Sequence, residues 1–89
     1  MSNSPSTSAE TRYSLYYYDS CPFCARVLRA LKGFKVDVEL RDILTDSKHR
    51  SALQKATGRT TVPCLRIETG TDSQWMFESM DIMRFLQSQ

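Results

Sequence analysis

Two cysteines three positions apart, in Cys21-Pro22-Phe23-Cys24, are the residues of this chain best suited to covalent chemistry. A dithiol on one helical turn can exchange with a disulfide, because one thiolate attacks and the second thiol resolves the mixed disulfide. Spacing alone is a weak signal, and position strengthens it. The pair follows an aromatic, β-prone run, Tyr13 to Tyr18, and opens an amphipathic segment. Asp19 and Ser20 break the strand, and Pro22 suits the first helical position. Cys21 is therefore expected at a helix N-terminus, where free backbone N–H groups and the positive dipole end favour a thiolate. Such sites lower a cysteine pKa from about 8.5 to between about 3.5 and 7.5. Cys24 comes one turn later among apolar neighbours. It is expected to stay protonated and act second, as the resolving thiol.

Two other uses of these cysteines compete: plain burial as structural core residues, where free Cys is often found, and a zinc site. Cys64 and His49 would complete a Cys₃His set on paper. Those four residues fall on a helix start, a polar helix (Ser47-Lys48-His49-Arg50) and a strand, and Pro22 favours a helix start over a zinc knuckle. No metal is expected. Cys64 is read as a small buried residue of the sheet layer.

The elements that must position the pair follow from periodicity. Leu15 and Tyr17 share one strand face and Tyr16 and Tyr18 the other, which points to a central strand covered on both sides. Val27, Leu28 and Leu31 continue the stripe of Cys24 at helical spacing, and Gly33 is expected as the stop. Val36 to Leu40 alternates as a second strand, so strand, helix and strand form a βαβ unit with parallel strands. Thr45 or Asp46 can cap a second helix ending near Gly58. Val62 to Glu68 reads as a third strand with Pro63 at its start. Gly70 to Ser73 is a turn, Gln74 to Phe77 a fourth strand, and Ser79 the cap of a last helix carrying Ile82, Met83, Phe85 and Leu86. The order is β-α-β-α-β-β-α, an α/β chain without internal repeat.

Composition narrows the classes further. Eighty-nine residues allow one small domain, and three cysteines leave one over as a disulfide framework. A net charge of +2 argues against a nucleic-acid binder, and no apolar run approaches a membrane span. Residues 1–12 read as a disordered Ser/Thr-rich tail, followed by one domain over 13–89. The tail lacks the apolar core of a secretory signal, so a reducing cytoplasm is the expected compartment.

Cys21-Pro22-Phe23-Cys24 resembles the C-P-[YF]-C active site of the glutaredoxin family, and Thr61-Val62-Pro63 resembles its T-V-P signature, in which the proline is cis. The resemblance covers about Tyr13 to the end. It implies a thioredoxin-like fold, a four-stranded mixed sheet in the order 2-1-3-4 flanked by three helices. It also implies that glutathione pairs with the Val62 backbone as a short added strand. Glu78-Ser79 is similar to the E-S pair of the glutathione S-transferase N-terminal domain, which binds the γ-glutamyl end of glutathione. Ordinary glutaredoxins carry a G-G-x-D-D type segment there. Many also place a Lys three residues before the first cysteine, where this chain has Tyr18. Arg59 is the candidate substitute cation. The resemblance thus implies Cys21 and Cys24 as catalytic residues. It implies Phe23, Arg59, Thr61, Val62, Pro63, Glu78 and Ser79 as the glutathione site.

The expected function is glutathione-dependent reduction of protein disulfides or of protein–glutathione mixed disulfides. Expected partners are glutathione and such proteins, with no nucleic acid, no membrane, and a monomeric chain. Two alternatives stand beside it: a dithiol reductant linked to thioredoxin reductase, and a protein binding glutathione and an iron–sulfur cluster between two subunits. C-P-F-C weakens the second, because the cluster-binding type more often shows C-G-F-S.

Overall fold

A computed structural model describes residues 11–89. The chain runs β1 (Thr11–Tyr17), α1 (Pro22–Leu31), β2 (Val38–Asp42), α2 (Ser47–Thr57), β3 (Cys64–Thr69), β4 (Asp72–Met76) and α3 (Ser79–Gln87). The four strands form one sheet in the order β2-β1-β3-β4. β1 pairs with β2 in parallel and with β3 antiparallel, and β3 with β4 antiparallel. This is the expected thioredoxin-like order. Residues 1–10 of the expected tail lie outside the described residues.

The two-sided aromatic pattern of β1 does what a central strand requires. Leu15 is fully buried on one face with Val27, Leu65, Ile67, Ile82 and Leu86. Tyr16 is fully buried on the other with Ile43, Leu53 and Cys64. One core therefore lies under α1 and α3, and a smaller one under α2. The phenol of Tyr16 is satisfied by Nη1 of Arg41, which donates to it at 2.7 Å. Among the described residues no buried side-chain nitrogen or oxygen lacks a partner.

Element ends differ from the periodic reading in informative ways. β1 starts at Thr11, two residues before Tyr13, because Thr11 and Arg12 pair with Thr69 and Glu68. β2 is Val38–Asp42 rather than Val36–Leu40, since its register sets Tyr13 opposite Val38 and Tyr17 opposite Asp42. Gly33 does not take the left-handed conformation; Lys32 caps α1 in the right-handed region. Gly58 does take it, at φ 81°, and closes α2 as expected, with Asp46 accepting from the Lys48 N–H at its start. Pro63 precedes β3 rather than opening it. The β3–β4 turn is only Gly70-Thr71, because Thr69 already pairs with Asp72. Gly70 has φ 62°, the positive value that a II′ hairpin needs at its first loop position. The two ends of the described chain meet: the Tyr13 hydroxyl donates to Oε1 of Gln89 at 3.2 Å, and its ring stands edge-on to Phe85.

Candidate active site

The turn from β1 to α1 sets up the thiols. The Cys21 N–H donates back to the Tyr18 carbonyl at 3.2 Å, which folds the chain sharply before the helix. Cys21 is the N-cap, Pro22 occupies the first turn, and the Ala25 N–H reaches the Cys21 carbonyl at 2.9 Å. The Cys21 sulfur takes the place of a capping oxygen and accepts the Cys24 N–H at 3.2 Å. The first turn of α1 contains no acidic residue to compete for that positive end. Cys21 is 4% exposed and Cys24 fully buried. Burial, reinforced by a side-chain hydrogen bond with Cys21, pushes the Cys24 thiol up to about 12. Cys24 is therefore a protonated thiol at neutral pH.

Strand register delivers the second part. Tyr16 pairs with Cys64, so continuing antiparallel past β3 places Pro63 and Val62 beside the chain that leaves β1 toward Cys21. The Val62–Pro63 peptide bond is cis. Cys64 points to the opposite side of the strand from Leu65, into the smaller core. Burial pushes its thiol up to about 12, against the pull of the Arg59 cation. His49 pairs with Asp46 at 3.5 Å and stands edge-on to Tyr16.

One groove of about 460 Å³ is lined by Phe23, Arg59, Thr61, Val62, Pro63, Phe77, Glu78 and Ser79. It thus gathers all seven residues expected for glutathione from four places in the chain. Cys21 and Cys24 do not line it; they lie at the start of the helix whose second residue, Phe23, forms its wall. One correction applies. Ser79 is not the cap of α3: Glu78 holds the cap position with extended backbone, and Ser79 is the first helical residue. Glu78 makes no side-chain capping bond, so its carboxylate is not engaged by the helix.

Phe77 is the groove residue that periodicity missed, because it reads as the last residue of a strand. The Arg59 guanidinium stacks over its ring, with Cζ 4.1 Å from the centroid. Thr57 supports the same arginine from behind. Its hydroxyl lies 2.8 Å from the Leu53 carbonyl and 3.0 Å from the Arg59 carbonyl, and accepts the Arg59 N–H at 3.3 Å. No local pattern announces the stack, since Arg59 and Phe77 come from different connections of the fold, whereas the Thr57 contacts are local turn bonds.

Comparison with known proteins matches the glutaredoxin family model over residues 13–70. The chain belongs to the glutaredoxin family. It is 38% identical over 74 residues to glutaredoxin 2 of Escherichia coli K12, covering 81% of this chain and 31% of that protein. It is 33% identical to glutaredoxin 2 of Salmonella typhimurium, solved in complex with glutathione, with a TM-score of 0.58 over 85% of this chain and 33% of that one. A trimeric glutathione transferase from Leishmania aligns with a TM-score of 0.68 and 29% identity, covering 85% of this chain and 17% of that one. The chain thus spans about a third of the length of the curated relatives it matches.

Proposed function

We propose that the chain is a glutathione-dependent thiol–disulfide oxidoreductase that reduces protein disulfides or removes glutathione from proteins. What carries the reading is the pairing of a sulfur at a helix start with an adjoining groove built from the glutathione-site residues. Glutathione bound to the glutaredoxin 2 of S. typhimurium supports the choice of ligand.

In this mechanism Cys21 attacks the glutathione sulfur of a mixed disulfide. A Cys21–glutathione disulfide forms, and the protein sulfur leaves and takes up a proton. A second glutathione thiolate attacks the bound glutathione sulfur, so oxidised glutathione departs and Cys21 is restored. With a protein disulfide, Cys21 first forms a mixed disulfide with one protein sulfur and frees the other. Cys24 then attacks the Cys21 sulfur, its proton passes to the departing protein thiolate, and a Cys21–Cys24 disulfide remains for glutathione to reduce. The high proton affinity of Cys24 keeps it from attacking early.

The groove divides the tripeptide. The Val62 backbone pairs with the cysteinyl residue, Thr61 and Pro63 shape that strand-like slot, and Phe23 forms the outer wall. Ser79 offers its N–H at the positive end of α3 to the γ-glutamyl carboxylate, and Glu78 receives the ammonium group. Arg59, held over Phe77, attracts a carboxylate in place of the Lys that Tyr18 replaces. No helix among the described residues is long and apolar enough to cross a membrane; the cytoplasm, a reducing compartment, suits the reaction.

A glutathione-linked turnover assay tests the proposal. Cys21→Ser is expected to abolish deglutathionylation. Cys24→Ser is expected to retain it and to lose reduction of protein disulfides. Deglutathionylation by Cys21→Ser protein at the wild-type rate would overturn the reading.

A further inference from the structure

We propose that the outward face of α1 docks an acidic protein segment flanking the sulfur that Cys21 attacks. The inference rests on Cys21 as the exchanging thiol and adds the chemistry of the protein partner.

Four of the twelve Lys/Arg residues, Arg26, Arg29, Lys32 and Lys35, fall between Ser20 and Val36, and none of the ten Asp/Glu does. The remainder of the chain is consequently net negative. Helical geometry sorts this segment into two faces. Cys24 and Val27 are buried, Leu28 and Leu31 half-buried, while Arg26, Arg29 and Lys32 are exposed on the other side. The described ion pairs join Arg41 to Glu39 and Arg66 to Glu68, His49 lies 3.5 Å from Asp46, and none of these contacts involves α1. Arg41, Arg59 and Arg66 each stack over a ring within the fold. The cations of α1 have neither kind of partner in those sets. Arg29 and Lys32 are favourable to the negative end of the helix, but that effect fades within a turn and leaves Arg26 unexplained.

Place makes the face useful. At 1.5 Å per residue, Arg26 lies about 7.5 Å and Lys32 about 16 Å along the axis from Cys21. An extended substrate segment rises about 3.3 Å per residue, so acidic side chains roughly two to five residues from the target cysteine would reach this row. Phe23, 58% exposed between the groove and the cations, gives the segment an apolar foothold. The groove takes the tripeptide, and the face of α1 is left for the protein half of a mixed disulfide. The row spans about 9 Å, comparable with the Debye length of about 8 Å at physiological salt, and its charges are exposed, so its attraction is strongest at low ionic strength.

Two synthetic peptides test this, each carrying one cysteine as its glutathione mixed disulfide, flanked by Glu in one and by Lys in the other. The Glu peptide is expected to exchange with Cys21 about tenfold faster at low salt, the scale that a few exposed ion pairs reach together. High salt should erase the difference. Combined Arg26→Glu, Arg29→Glu and Lys32→Glu should remove or invert the preference, with the Gln versions intermediate and serving if the Glu protein does not fold. The neutral hydroxyethyl disulfide corrects for any change in the intrinsic reactivity of Cys21. A control reversing Lys48, Arg50 and Lys55 on α2 should retain most of the preference. An equal loss in that control, or a Glu preference surviving the α1 reversal, overturns the proposal. If the wild-type protein exchanges with no disulfide, the redox reading fails, and docking is decided by fluorescence anisotropy of the thiol-blocked peptides on Cys21→Ser protein. An α1-dependent preference for the Glu peptide there supports docking; equal binding of both peptides overturns it.

Discussion

Arg59 supplies the cation of the groove, and its usefulness depends on a ring eighteen positions later in the chain. Held over Phe77, the guanidinium has fewer orientations to lose when a carboxylate arrives. A cation–π contact at an exposed site is worth about 0.5–1 kcal/mol, so Phe77→Leu should raise the KM for glutathione about two- to fivefold. The kcat should stay close to wild type, because Cys21 and Cys24 do not line this part of the groove. Steady-state kinetics with varied glutathione would separate the two constants, and a fall in kcat alone would contradict the positioning role. At this scale the sequence was most legible where chemistry is local. Cys21 with its helix start, and Thr61-Val62-Pro63, are contiguous runs that carry their own geometry. Phe77 acts on Arg59 through space, and no spacing rule links the two; Thr57, two residues before Arg59, makes a local hydroxyl-to-backbone turn that its spacing could have announced. Ser79 shows the opposite difficulty: a Ser before a helical stripe reads as a cap, yet its neighbour Glu78 holds that place.

Among the elements, α2 is attached most lightly. Leu53 is its one buried residue, set against Tyr16, Ile43 and Cys64, whereas α1 and α3 each bury two and share the larger core. Leu53→Ala should destabilise the fold by about 2–5 kcal/mol, as large-to-small core changes do, measured by urea unfolding. In hydrogen exchange α2 should open before β1 and β3, and its loosening should also raise the KM for glutathione, because α2 leads directly into Arg59 and Thr61. Gly58 closes that helix at φ 81°, and a Cβ there would meet nothing within 4 Å. Gly58→Ala should therefore cost only the left-handed backbone penalty, about 1 kcal/mol, without a clash. Element type and order could be read from periods of two and 3.6 residues, but ends could not. Strand limits here follow pairing partners: Val38 rather than Val36 begins β2 because Tyr13 lies opposite it. That register is a property of two strands together, which one strand's alternation cannot reveal.

For the whole molecule, the buried thiols tie stability to alkaline pH. Cys24 and Cys64 have ordinary values of 9.0, and burial raises both to about 12 in the folded chain. The unfolded chain therefore loses these protons first, between pH 9 and 12, and binds fewer protons than the folded one. Their contribution is fully present below pH 9 and declines as pH rises toward 12, by up to about 1.4 kcal/mol per pH unit for each thiol. Urea midpoints at neutral and alkaline pH should show the decline, and Cys64→Ala should make it shallower; an unchanged slope in that variant would count against the linkage. The lone third cysteine thus matters to packing and to this titration. The Tyr13–Gln89 contact has a consequence of another kind. It brings the first strand's beginning and the last helix's end together, while α1 and α3 both start beside the groove. The molecule has a reactive pole and a quiet one, and the Gly70-Thr71 turn also lies at the quiet pole. Joining Thr11 to Gln89 through a short linker and reopening the chain at that turn is expected to give a circular permutant that keeps the groove, which the glutathione-linked assay would check.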